Sequence, residues 1–84
     1  MPVICRFYGI IIKMYFQAKE HNPPHFHAIY GEYSGLFDLS TFALIEGDLP
    51  DKAVDMVQEW AKENQTALAD IWNTQNFREL PPLK

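Results

Sequence analysis

Gly47-Asp48-Leu49-Pro50 separates two parts of the chain that follow different periods. Upstream, β-branched and aromatic residues come in short runs. Downstream, apolar residues recur at helical spacing. Within the boundary, Gly47 reads as a strand end, and Pro50 fits the first turn of a helix, where its missing N–H costs nothing. Asp48 reads as the cap for the free amides, and Asp51 suits the positive end of the helix dipole. Ala53, Val54, Val57, Trp60 and Ala61 then fall on one face, and Leu68, Ile71 and Trp72 continue a similar stripe. Asn64-Gln65-Thr66 are weak helix formers with capping capacity, which favours two helices over one. Pro81-Pro82 stops the pattern.

Working back from the boundary, residues 3–17 read as extended, with Gly9 marking a bulge or bend. A second strand is expected over 25–30, a turn at Gly31-Glu32, and a third strand over 33–39. Ser40-Thr41 then turns the chain into 42–45. Connections this tight favour an antiparallel meander, because parallel pairs need long crossovers. The expected fold is α+β: a small antiparallel sheet of three to four strands packed against one or two C-terminal helices. A single domain over 1–84 divides into strands over 2–47, a helical segment over 48–78 and a tail over 79–84. Trp60 and Trp72 read as anchors of the sheet–helix contact, the alternative being an exposed partner-binding patch.

Composition sets the bounds. The 84 residues are 48% hydrophobic and 14% aromatic, which supports a small packed core and excludes a disordered chain. The single cysteine, Cys5, excludes an internal disulfide and fits a reducing cytoplasm. Its apolar flanks Val3-Ile4 mark a buried, inert thiol. A net charge of −4 with seven scattered basic residues argues against a dedicated nucleic-acid surface. No signal peptide is visible, and no apolar run approaches the roughly 20 residues of a spanning helix. A cytoplasmic protein without a membrane role is expected. Gly31, Gly35 and Gly47 are too far apart for a phosphate loop, and Ser34, Ser40 and Thr41 read as turn residues. Asp48, Asp51, Asp55, Glu59 and Glu63, with Lys52 and Lys62 among them, read as a solvated helix face.

Every histidine lies in His21-Asn22-Pro23-Pro24-His25-Phe26-His27. The prolines fix φ and make a stiff lead-in to the strand expected from His25. On that strand His25 and His27 share a face, about 6.5–7 Å apart along the backbone. Three readings follow. The pair can be packing residues with hydrogen-bonded tips. With His21 or a carboxylate from Glu20, Asp38 or Glu46, it can hold a divalent metal such as zinc. Without metal, one imidazole can act as base and the other as acid in a hydrolase or nuclease, although an acidic chain suits an anionic substrate poorly.

The HNPPHFH core, together with Phe7-Tyr8-Gly9-Ile10-Ile11-Ile12, Tyr15-Phe16, Glu46-Gly47-Asp48-Leu49-Pro50, Trp60, Leu68, Trp72 and Pro82-Leu83, resembles a small bacterial family. It is the domain of unknown function family 4160. The resemblance implies one member of a toxin–antitoxin-type gene pair that binds a small protein from an adjacent gene. Some relatives are called transcriptional regulators, so nucleic acid would be reached through the partner. No catalytic residues carry over. Relatives often have a histidine where Asn64 stands, so any site here must do without it. Gln17-Ala18-Lys19-Glu20 replaces a more acidic approach in some relatives, which weakens a role for Glu20. The resulting expectation is a non-enzymatic interaction module, with the metal or histidine-based hydrolase and the partner-dependent DNA-binding regulator as alternatives.

Overall fold

The computed structural model describes residues 3–14, 24–74 and 76–83. Five strands run in chain order across one antiparallel sheet: β1 Val3–Phe7, β2 Ile10–Lys13, β3 His25–Tyr30, β4 Tyr33–Asp38 and β5 Leu44–Asp48. Two helices follow, α1 Asp51–Glu63 and α2 Gln65–Thr74. The α+β expectation holds, with one strand more than foreseen.

The extra strand comes from Tyr8-Gly9. Both residues have positive φ, 47° and 81°, so the pair closes a two-residue hairpin rather than a bulge. β1 therefore folds back on β2 with Phe7 opposite Ile10 and Cys5 opposite Ile12. The second hairpin turns at Gly31, φ 59°, leaving Tyr30 opposite Tyr33. The third turn is held by Asp38, whose Oδ1 accepts the amides of Ser40 at 2.6 Å and Thr41 at 3.1 Å.

The helix boundary differs from its reading in the sequence. Gly47 lies inside β5 with φ 84°, and Asp48 is the last residue of that strand rather than a cap. Pro50 occupies the N-cap position of α1, and no side chain caps the helix. The break between helices does fall at Asn64, whose Nδ2 donates to the Trp60 carbonyl at 2.9 Å. Helix ends at Thr74, and 76–83 have no regular structure.

One face of the sheet meets the helices. Phe26 and Phe37 stack there, ring centroids 5.4 Å apart, and Trp60 packs edge-on to Phe26 at 6.1 Å and against Phe7 at 5.7 Å. Ala53, Val57, Trp60 and Ala61 of α1 and Leu68, Ile71 and Trp72 of α2 are all buried. The segment 76–83 completes the packing. Leu80 donates its amide to the Ile4 carbonyl at 2.8 Å, and the Pro81 carbonyl accepts from Trp60 Nε1 at 2.8 Å and from Cys5 Sγ at 3.5 Å.

Cys5 is a buried free thiol in this clasp. Burial is the main cause that pushes its pKa above the ordinary 9.0, with Glu79 adding to the rise, while hydrogen bonds from the Arg6 backbone and Trp60 oppose it. A raised folded-state pKa means that the thiol's contribution to stability is complete below the unfolded value. It is then lost as pH rises through the folded value. Urea midpoints are therefore expected to fall above about pH 9 in the wild type. Cys5→Ala should lack that alkaline step, and an identical fall in both proteins would refute the assignment.

Candidate functional site

Alternation along β3 sends Phe26 and Ala28 into the core and His25, His27 and Ile29 to the opposite face. The two described histidines therefore stand side by side, with ring centroids 5.4 Å apart and planes at 73°. Their surroundings differ. His25 is 1% exposed, with the Trp72 ring of α2 at 5.2 Å on its far side. His27 is half-buried and lines a shallow hollow of about 330 Å³ with Ser34, Gly35, Leu36, Glu46 and Gly47. His21, Asn22 and Pro23 lie outside the described residues, as does Glu20.

The local sequence explains the placement. Pro24 accepts the Leu39 amide at 2.9 Å, which ties the start of β3 to the end of β4. From there strict alternation fixes which face each imidazole takes. The two described carboxylates named as possible third ligands, Asp38 and Glu46, do not gather with the pair. Asp38, opposite His25, spends its Oδ1 on the turn amides. Glu46 stands two strands from His27 with Leu36 between, a separation of about 9–10 Å at ordinary strand spacing. Among the described residues no group of three or more His, Cys, Asp or Glu side chains gathers to hold a metal ion. An acid–base pair needs both imidazoles at the reacting atoms. Of the two, His27 lines a surface hollow, whereas His25 is 1% exposed.

A second surface was not singled out from the sequence. On the helix-side face, Phe7, Ile10, Tyr30 and Tyr33 form one row across β1 to β4. Phe7 and Ile10 are buried, while Tyr30 is 36% and Tyr33 46% exposed. Tyr8, 61% exposed, stands at the same end, and a Cβ on Gly9 would lie 3.3 Å from the Tyr30 ring. The core thus runs out into three exposed tyrosines at the hairpin turns. The signal for it was present: Tyr8-Gly9 and Tyr30-Gly31-Glu32-Tyr33 are two tyrosine-flanked turns that a meander brings to one end.

No helix among the described residues is long and apolar enough to cross a membrane. The family described as domain of unknown function (DUF4160) matches residues 9–73, from the first turn through most of α2. The match leaves out β1 and the segment 76–83, which hold one another. No curated protein and no solved structure matches the chain.

Proposed function

The chain belongs to the DUF4160 family, and from that premise we propose that it is a non-enzymatic interaction module docking a second small protein. The observation that supports this reading is the tyrosine end of the sheet. Tyrosine offers large contact area at low entropic cost and is enriched where protein interfaces concentrate their energy. The partner's chemistry follows from charge. Glu32 lies at the turn between Tyr30 and Tyr33, Asp48 ends the neighbouring strand, and the whole chain carries −4. A basic protein fits that surface, in keeping with the other member of a toxin–antitoxin-type pair in a bacterial cytoplasm. Such a partner would also carry the positive charge needed for any contact with DNA.

The test is co-expression with the product of the adjacent gene, followed by affinity measurement on the purified pair. Tyr30→Ser with Tyr33→Ser is expected to weaken the complex by about 2 kcal/mol or more, roughly 30-fold in Kd. The urea midpoint should also fall somewhat, because Tyr30 is 36% and Tyr33 46% exposed and the rest of each side chain packs on the sheet, so affinity is compared on folded protein. No complex with wild-type protein, or one indifferent to both tyrosines, overturns the proposal. Metal analysis of untagged protein addresses the histidine alternative. One equivalent of zinc that is lost in His25→Ala plus His27→Ala would establish a metal site instead.

A further inference from the structure

Four large apolar residues stand exposed among the described residues: the three tyrosines at the hairpin turns, and Ile45 on β5. Tyr30 and Tyr33 are paired across β3 and β4 on the helix-side face, so their Cβ atoms lie about 4.5–5.5 Å apart. The Tyr30 ring reaches back over Gly9, where a Cβ would come within 3.3 Å of its Cε1, and Tyr8 adjoins Gly9 in the same turn. Three phenol rings thus gather over two neighbouring turns. Glu32 is exposed in the turn that joins Tyr30 to Tyr33.

Such a surface differs from an aliphatic patch in what it attracts. The face of an aromatic ring is electronegative, and a cation set against it is drawn to the ring quadrupole. The surrounding charge has the same sense, because Glu32 stands in the turn and the chain carries −4. Arg6 and Lys13, the described cations of β1 and β2, alternate onto the opposite face of the sheet, away from these rings.

We propose that this surface takes an arginine side chain of the basic partner, a step that rests on the tyrosine end being the docking site. The guanidinium lies against the Tyr30 and Tyr33 rings, and the Glu32 carboxylate accepts from its N–H groups. Arginine fits this setting better than lysine. Its charged plane is weakly hydrated and stacks on rings while its edge donates, whereas a compact ammonium keeps its water shell. Tyrosine and arginine are also residue types in which interfaces concentrate their binding energy. An aliphatic anchor would use neither the ring faces nor Glu32.

N-acetylarginine methylamide, titrated into the full chain and followed by NMR, separates this contact from the rest of the interface. The Tyr30 and Tyr33 ring signals and the Glu32 amide are expected to shift saturably, with a Kd on the order of 10 mM. The neutral citrulline analogue has nearly the same shape and should bind at least 5-fold more weakly. Glu32→Gln should weaken the arginine probe about 3-fold. Tyr30→Phe with Tyr33→Phe keeps the ring faces and should stay within 3-fold of wild type. Tyr30→Leu with Tyr33→Leu, checked as folded by circular dichroism, should no longer saturate by 100 mM. Wild-type signals that do not move by 100 mM overturn the inference. So does citrulline binding as tightly as arginine, or a leucine variant binding as tightly as the phenylalanine one. The docking reading fails separately. An adjacent gene product that binds through the tyrosines while the probe does not would sink the arginine site alone. A probe that binds as expected while no gene product does would uphold the arginine site and sink the docking reading.

Discussion

Trp60→Ala is expected to abolish the cooperative thermal transition, leaving a chain largely unfolded at 25 °C. Trp60 is fully buried between Phe7 and Phe26 and reaches through to the Pro81 carbonyl. Truncating a core aromatic costs about 3–5 kcal/mol, and losing the part-buried hydrogen bond to the Pro81 carbonyl costs about 0.5–1.5 more. A protein of this size has a total stability of roughly 4–13 kcal/mol. The loss therefore takes most or all of it. Trp60→Phe is the milder change: it keeps a ring between the sheet aromatics and gives up the N–H and part of the indole volume, so a folded variant with a reduced midpoint is expected. A Trp60→Ala melting temperature within 5 °C of wild type would contradict the central place given to this residue.

The second large effect is expected at Gly47. Its φ of 84° is costly for an L side chain by about 1–2 kcal/mol, and a methyl there would run into the Ser34 carbonyl and stand 2.9 Å from the Gly35 Cα. Both obstacles are backbone atoms of β4. They yield only if β5 moves off its partner, which adds a further 1–3 kcal/mol. Gly47→Ala should therefore lower stability by about 2–5 kcal/mol, read from urea unfolding followed by circular dichroism. Gly35→Ala is the control. Its methyl would meet the Leu44 Cδ1 at 2.5 Å, the end of a side chain that can turn aside. A drop of about 1 kcal/mol is expected there. Equal losses in the two variants would show that backbone crowding is not what keeps Gly47.

Local rules explain why some elements could be read from the residues alone. β3 was expected over 25–30 and occupies His25–Tyr30, because a β-rich run lies between a double proline and Gly31. The helix break at Asn64 was readable because its side chain competes for backbone partners, as it does in the structure with the Trp60 carbonyl. Errors arose where one residue type serves two geometries. Gly9 read as a bulge or bend in one extended run, whereas the hairpin depends on positive φ at Tyr8, which tyrosine does not advertise. Gly47 resembled a strand terminator, so Asp48 was assigned to the helix. In fact the left-handed glycine lets β5 continue past it. The histidine face followed from the strand period, but the Trp72 ring beside His25 depends on where α2 comes to rest, and no spacing along the chain encodes that. The tyrosine end likewise depends on two turns meeting across the sheet.

The clasp between β1 and the segment 76–83 also bears on how the chain is made. Cys5 and Pro81 are 76 residues apart, and at ordinary translation speeds roughly 4–15 s separate their synthesis. Throughout that interval the first strand has no neighbour on its outer side, and Trp60, once made, has no acceptor for its indole N–H. The nascent chain can close its hairpins early. It cannot seal its core until Leu80 and Pro81 have left the ribosome, and chaperones have several seconds in which to hold an unfinished sheet.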